Sequence, residues 1–117
     1  MKIVLFANTD WYLYNFRLST ALELKARGHE VVMLSPPGEF GERFADHGLR
    51  WVQLRMERSS LNPLREVVVL RDLTRVLRQE QPDLLHNFTI KCALYGALAA
   101  RAARVPAVVN AVAGMGY

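Results

Sequence analysis

The feature of this sequence that most constrains its fold is a regular alternation between short apolar runs and helical segments. The apolar runs, each of a length typical of a strand, cover residues 2–7, 29–35, 49–54, 83–88 and 106–114. Helical spacing of apolar residues, bounded by glycine or proline, predicts helices at 16–28, 39–48, 64–81 and 90–104. Strands that alternate with helices over short connections predict an α/β fold: a Rossmann-like, doubly wound parallel sheet with helices on both faces.

Size and composition predict a single cytoplasmic domain. The chain has 117 residues, of which 51% are hydrophobic and 22% are charged, as is typical of a soluble globular protein. Its apolar runs are shorter than the roughly 20 residues that cross a bilayer, and the opening residues do not resemble a signal peptide. A single cysteine, Cys92, excludes an internal disulfide, and the three histidines show no metal-ligand spacing.

The charge balance leaves several partners open. The net charge of +4 suits nucleic acid, an anionic membrane surface or a phosphorylated small molecule. The basic residues are spread along the chain and the aromatic residues are concentrated in one segment, which disfavours nucleic-acid binding.

An unusual stretch, NTDWYLYNFR at residues 8–17, directly follows the first predicted strand. Ligands of parallel α/β sheets bind outside the carboxyl ends of the strands, so we predict that this stretch is a loop lining a ligand site. The stretch combines polar side chains, among them Asn8, Asn15 and Arg17, with the aromatic side chains of Trp11 and Tyr12. The alternative for the aromatic residues is packing against the helical layer, and we assign Phe16, like Trp51, to the core.

A second polar stretch, HNFTIK at residues 86–91, leads from a predicted strand into a helix. Thr89 and Lys91 at the helix start form a candidate phosphate site; equally, Thr89 caps the helix and Lys91 is solvated. His86 is either a general base or ligand contact, or a hydrogen-bonded structural group, and the pattern alone favours the structural role.

Two basic segments lie around the third predicted helix. In RMERSSLNP, residues 55–63, Arg58 is a candidate phosphate clamp, although a plain loop in which Asn62 and Pro63 start the helix fits the pattern slightly better. On the helix itself, Arg71, Arg75 and Arg78 share one face beside two valines. That face suits an anionic membrane surface, or is an ordinary solvated face.

Five segments in this order resemble the N-terminal domain of a family 4 retaining glycosyltransferase of the GT-B type. They are W-Y-L-Y-N-F-R-L, G-H-E-V, R-S-S-L-N-P, Q-P-D-L-L-H-N-F-T-I-K and V-P-A-V-V-N-A-V-A-G-M-G-Y. The most similar subgroup builds capsule, O-antigen or other glycan precursors on polyprenyl-diphosphate carriers. GxGxxG and Walker motifs are absent, which argues against the dinucleotide and P-loop classes.

The resemblance implies that residues 1–117 form an acceptor-binding domain, and that a C-terminal domain outside this chain binds the nucleotide sugar, expected to be a UDP-sugar. It implies no cofactor, no metal and no identified catalytic residue, and this piece alone should be inactive. The implied acceptor- or phosphate-binding residues are Asn8, Asn15, Arg17, Arg58, Asn62, Thr89 and Lys91. The implied cleft-lining residues are Trp11, Tyr12, His86, Asn110, Gly114 and Gly116; Ala113 stands where many relatives have a histidine that contacts the donor sugar.

Two other functions remain open at this point. A UDP-sugar 2-epimerase has the same two-domain architecture, and its C-terminal half would distinguish it. A stand-alone flavodoxin-like binding module is the third reading. It would end neatly after its last element, whereas this chain ends just after a predicted strand, which leads us to expect a fragment.

Overall fold

A computed structural model describes residues 1–56 and 62–111, which form one five-stranded parallel sheet. The strands are β1 Lys2–Phe6, β2 Glu30–Ser35, β3 Arg50–Gln53, β4 Leu84–Asn87 and β5 Ala107–Asn110, and the spatial order is β3-β2-β1-β4-β5. The chain winds outward from β1 to β3 and then returns to lay β4 on the other side of β1. The predicted doubly wound α/β fold is therefore confirmed, and its topological switch point lies between β1 and β4.

Helices connect the strands and cover both faces of the sheet. They are α1 Asp10–Tyr12, a π-helical segment Leu13–Arg17, α2 Leu18–Ala26, a 3₁₀ helix Gly41–His47, α3 Pro63–Glu80 and α4 Ile90–Ala103. The predicted helix 39–48 is therefore a 3₁₀ helix, and the predicted strand 106–114 ends at Asn110, with residues 112–117 outside the described part of the chain.

The stretch at residues 8–17 is not the predicted loop. Thr9 accepts a hydrogen bond from the Tyr12 backbone N–H at 3.0 Å and so caps a helix that begins at Asp10 and continues, through the π-helical segment, into α2. The prediction was wrong because polar and aromatic residues hid the helical period. A π turn also closes i→i+5 hydrogen bonds, which displaces the following side chains relative to a regular helix.

The core has two parts, one on each face of the sheet. Val4 and Phe6 of β1 pack with buried residues of α3 and α4, including Leu73 and Leu77. Ile3 and Leu5 face the other way and pack with Leu13, Ala21 and Phe44. Burial of each large apolar side chain contributes roughly 1.5–3 kcal/mol, so these two layers fix the helices on the sheet.

Phe16 is not part of the core, although the sequence predicted it there. Its side chain is 56% exposed, and Leu13 fills the buried position on this side of the sheet. Trp51 is half-buried: it packs on the second core layer and its indole N–H donates to Ser35 Oγ at 3.0 Å. Within the described residues, none of the helices has the length and apolarity needed to cross a membrane.

Candidate functional site

Side chains from two neighbouring segments meet at the topological switch point. Tyr12 and Arg17 come from the helical segment after β1, while His86 and Phe88 come from the end of β4. We call these four residues the switch-point cluster. Arg17 donates to the Tyr12 hydroxyl through Nη2 at 3.0 Å and Nε at 3.3 Å. Its guanidinium carbon also lies 4.5 Å from the centroid of the Phe88 ring, a cation–π distance.

His86 is a neutral ring inside this cluster. Its ring centroid is 4.2 Å from that of Phe88, and its Nε2 is buried without a hydrogen-bond partner among the described residues. Burial lowers the pKa of His86 below its usual 6.5, and the positive charge of Arg17 lowers it further. In the uncharged imidazole one ring nitrogen donates and the other accepts, and the buried Nε2 is closed to a ligand in this conformation. The predicted structural hydrogen bond is not found at Nε2.

An aromatic surface extends outward from the cluster. The ring centroids of Trp11 and Phe16 are 5.3 Å apart, those of Tyr12 and Phe16 are 5.4 Å apart, and those of Tyr12 and Phe88 are 6.0 Å apart. Trp11 is 50% exposed, so this edge presents aromatic faces to solvent. The structure thus brings Trp11 and Tyr12 to the predicted edge. It adds Phe88, which sequence reasoning missed although it lies in the selected HNFTIK segment.

Asp10 is a second residue that sequence reasoning missed. Its carboxylate is buried and accepts three backbone N–H groups: Trp11 at 2.9 Å, Phe40 at 2.7 Å and Gly41 at 2.8 Å. Gly38 leaves room for it, because a Cβ there would lie 2.2 Å from Asp10 Oδ1. Asp10 therefore joins the start of α1 to the segment after β2. The available signal was an acidic residue in the first helical turn.

The predicted polar residues near β1 have different surroundings. Asn15 is exposed, and its Nδ2 donates to the Trp11 carbonyl at 2.9 Å. Asn8 lies at the bend after β1, and Arg17 is half-buried. Arg17 therefore belongs to the switch-point cluster, whereas Asn15 serves the local helical turn.

At the adjacent strand ends, a buried amide positions Asn110. Asn87 is fully buried, and its Nδ2 donates to Asn110 Oδ1 at 3.0 Å. Its backbone carbonyl accepts from Ala111 N at 2.8 Å. Asn87 packs against Gly96 of α4, where a Cβ would lie 2.3 Å from Asn87 Oδ1. The predicted cleft residue Asn110 is thus exposed at the carboxyl edge, and its side chain is positioned by the hydrogen bond from the buried Asn87.

Thr89 and Lys91 have partners within the chain. Thr89 Oγ1 accepts from Cys92 N at 3.3 Å, so Thr89 caps α4, one of the two predicted roles. Lys91 Nζ is 3.5 Å from Glu66 Oε1, so the partly exposed Lys91 is ion-paired within the chain. Glu66 also accepts a hydrogen bond from the Tyr95 hydroxyl, which raises the pKa of Tyr95 to about 12. A phosphate role for Thr89 or Lys91 stays a prediction.

The remaining predicted residues divide into three groups. Asn62 Oδ1 accepts from Leu64 N at 3.0 Å, which confirms that Asn62 starts the helix. Arg71, Arg75 and Arg78 are exposed and border a single shallow depression on α3. Four further predictions, at Arg58, Ala113, Gly114 and Gly116, lie outside the described residues. Among residues 1–56 and 62–111, no group of three or more histidine, cysteine, aspartate or glutamate side chains is placed to hold a metal ion.

The sequence matches the glycosyl transferase 4-like family over residues 2–117, and the chain belongs to that family. It is 31% identical over 119 aligned positions to the N,N'-diacetylbacillosaminyl-diphospho-undecaprenol alpha-1,3-N-acetylgalactosaminyltransferase of Campylobacter jejuni, which covers 99% of this chain and 31% of that protein. The chain thus spans about a third of the length of this relative.

Solved structures give the same fold. The glycosyltransferase VinC, in complex with DTDP, superposes with a TM-score of 0.64 at 25% identity, over 93% of this chain and 34% of that one. The UDP-GlcNAc 2-epimerase of Neisseria meningitidis, bound to UDP-GlcNAc, superposes with a TM-score of 0.64 at 16% identity, over 92% and 31% of the two chains. The second likeness concerns the fold alone, so the fold by itself does not separate transferase from epimerase.

Proposed function

We propose that this chain is the acceptor-binding domain of a retaining GT-B glycosyltransferase. The intact enzyme would move a sugar from a nucleotide sugar, expected to be a UDP-sugar, to a lipid-linked polyprenyl-diphosphate or polysaccharide acceptor. The observation that carries the proposal is the switch-point cluster, found in a chain of the glycosyl transferase 4-like family. A further domain would bind the donor, so residues 1–117 alone would be inactive.

The cluster has the chemistry of an acceptor site. Arg17 is held by Tyr12 and Phe88, so its charge needs little reorganisation to meet a phosphate or a sugar hydroxyl. His86 stays a predicted cleft-lining residue beside Arg17, although its Nε2 is buried in this conformation. The aromatic faces of Trp11 and Phe16 suit the less polar face of a sugar ring.

We assign no protein nucleophile. Positioning of the acceptor hydroxyl next to the donor sugar, together with electrostatic stabilisation of the departing diphosphate, would supply the catalysis. Asn110 lies on the same edge of the sheet and would line the cleft. The same role is proposed for Gly114 and Gly116, which lie outside the described residues.

The lipid-linked acceptor is favoured by two observations. The Campylobacter jejuni relative is named for a diphospho-undecaprenol substrate. Arg71, Arg75 and Arg78 share an exposed face of α3 beside Val67, which is 62% exposed. Such a face would place the enzyme on the cytoplasmic side of an anionic membrane, at about 1 kcal/mol per arginine, where capsule or O-antigen precursors are assembled.

The test is a transfer assay on the full-length gene product with a set of nucleotide sugars and a polyprenyl-diphosphate-linked glycan. We expect a glycosylated lipid with the anomeric configuration of the donor, as read by nuclear magnetic resonance. Conversion of a UDP-sugar to its epimer without any acceptor would instead establish the epimerase. Transfer by residues 1–117 alone would contradict the two-domain reading.

Membrane binding has its own test and a matched control. The triple variant Arg71→Gln, Arg75→Gln, Arg78→Gln should lose sedimentation with vesicles that contain phosphatidylglycerol. The variant Arg27→Gln, Arg101→Gln, Arg104→Gln removes the same charge from other exposed positions and should retain most of it. Equal losses of vesicle binding in both variants would show that binding depends on the net charge of the protein and not on this face of α3.

A further inference from the structure

A groove runs beside the first turns of α3, away from the switch-point cluster. Its volume is about 690 Å³, within the usual range of ligand sites. The apolar side chains among the described residues that line it are Pro36, Pro37, Met56, Leu64, Val68 and Val69. No member of the switch-point cluster contributes to this lining, so the groove is a separate feature of the same carboxyl edge.

The groove exposes apolar surface. Leu64 is 76% exposed and Val68 is 42% exposed, whereas Val69 is only 7% exposed and anchors α3 in the core. Exposed apolar side chains gathered around a concave surface are typical of a binding site. Met56 adds an unbranched side chain that can adapt to a flexible ligand.

One wall of the groove is ordered before any ligand arrives. Ser35 Oγ donates to the Pro36 carbonyl at 3.0 Å and accepts from Trp51 Nε1 at 3.0 Å. Pro36 and Pro37 have restricted backbone torsions, and Asp10 fixes the next part of the segment through Phe40 and Gly41. Binding there therefore loses little conformational entropy.

The charges around the groove favour an apolar chain that carries an anionic end. The two acidic residues in the lining already have cationic neighbours: Glu66 pairs with Lys91, and Asp72 with Arg71 at 3.4 Å. Arg55 and Arg65 add positive charge to the lining. At about 100° per residue, Leu64 and Val68 lie in the same sector of α3 as Arg71 and Arg75. Apolar surface thus continues directly into basic surface along one helix face.

We propose that this groove binds the first isoprene units of the lipid-linked acceptor, with the diphosphate at the carboxyl edge of the sheet, towards Arg55 and Arg65 of the lining. The inference rests on the proposed function for its substrate and goes beyond it by assigning the lipid chain to a specific surface. An apolar lining next to a basic face matches one molecule that has both parts. A second copy of this chain would present the same basic charge and would be repelled.

Direct binding tests the groove without any need for activity. Farnesyl diphosphate should bind the full-length protein at least tenfold more tightly than inorganic diphosphate in isothermal titration calorimetry. The double variant Leu64→Ser, Val68→Ser should lose at least tenfold in affinity for farnesyl diphosphate. Leu98→Ser changes an exposed leucine of α4 that does not line the groove, and its affinity should stay within twofold of the wild type.

Three results would overturn the groove assignment. They are equal affinity for the two diphosphates, an unchanged affinity in the double variant, and the same loss in Leu98→Ser. A change of oligomeric state in the double variant, measured by light scattering, would identify a contact between copies instead. All the substituted positions are exposed, so circular dichroism should confirm that the variants fold.

Kinetics separate this inference from the proposed function. The double variant should raise the KM for an isoprenoid acceptor and leave the KM for a water-soluble, short-chain acceptor with the same glycan unchanged. A wild-type protein that binds farnesyl diphosphate through the groove but transfers no sugar would refute the proposed function and support the groove. An active enzyme whose double variant has the same KM change for both acceptors would support the proposed function and refute the groove assignment.

Discussion

Replacement of Asp10 by asparagine should destabilise the segment that follows β2. The Asp10 carboxylate accepts three backbone N–H groups in a buried setting, from Trp11, Phe40 and Gly41. Asparagine has a single oxygen: if it keeps Phe40 and Gly41, its NH₂ group faces the Trp11 N–H. A hydrogen bond to a charged group contributes about 1.5–3 kcal/mol, and the abandoned donor adds a desolvation cost, so we expect a loss of about 2–4 kcal/mol.

Hydrogen exchange of the full-length protein measures this loss locally. Each 1.4 kcal/mol changes protection by about tenfold, so the peptide containing Phe40 and Gly41 should lose roughly 25-fold or more in protection. Asp46→Asn is the matched control, because Asp46 is an exposed acid on the neighbouring 3₁₀ helix and should change protection little. Protection in Asp10→Asn within twofold of the control would refute the role assigned to Asp10.

Three further predictions concern the α3–α4 side of the molecule. Gly96→Ala should lower the free energy of unfolding, measured by urea denaturation, by roughly 1–2 kcal/mol. The new Cβ would clash with the buried Asn87 side chain, and this cost exceeds the gain of about 1 kcal/mol in helix propensity. A variant more stable than the wild type would contradict this prediction. Burial raises the pKa of the Cys92 thiol to about 12, so a maleimide should label it only after denaturation, and rapid labelling of the native protein would argue against this packing. The Glu66 hydrogen bond raises the pKa of Tyr95 to about 12. The stability that this hydrogen bond gives the folded protein is present below the unfolded tyrosine pKa of about 10 and is lost as the pH rises through about 12. The substitution Glu66→Ala should therefore return the titration of Tyr95, followed by ultraviolet absorbance, towards about pH 10.

The layered fold was predictable because its signals are local. Each apolar run indicates a buried strand from its own residues, without reference to the rest of the chain. The helix caps at Asn62 and Thr89 were among the predicted alternatives because their side chains accept hydrogen bonds from residues two and three positions away. The helical start at Asp10 also had a local signal, Thr9 followed by an acidic residue. The π-helical turn that follows has no such signature, and the displacement of Phe16 to the surface was missed with it.

The candidate site was predictable only in part, because its contacts join distant segments. Arg17 was selected from its position after β1, but its contact with Phe88 depends on β1 and β4 being neighbours. Asp10 and Gly41 are likewise brought together by the order of the strands, with no pattern in the sequence to mark the pair. The groove beside α3 needs three separate segments to fold against one another before it exists.

The most direct test of the central claim is the steady-state kinetics of Arg17→Gln in the full-length protein, with donor and acceptor varied separately. Arg17 is held at the switch point by Tyr12 and Phe88, so its loss should raise the KM for the acceptor by about tenfold or more and leave the KM for the nucleotide sugar within twofold. An unchanged acceptor KM in a folded Arg17→Gln protein, or an equal rise in both constants, would contradict the assignment of this edge of the sheet to the acceptor.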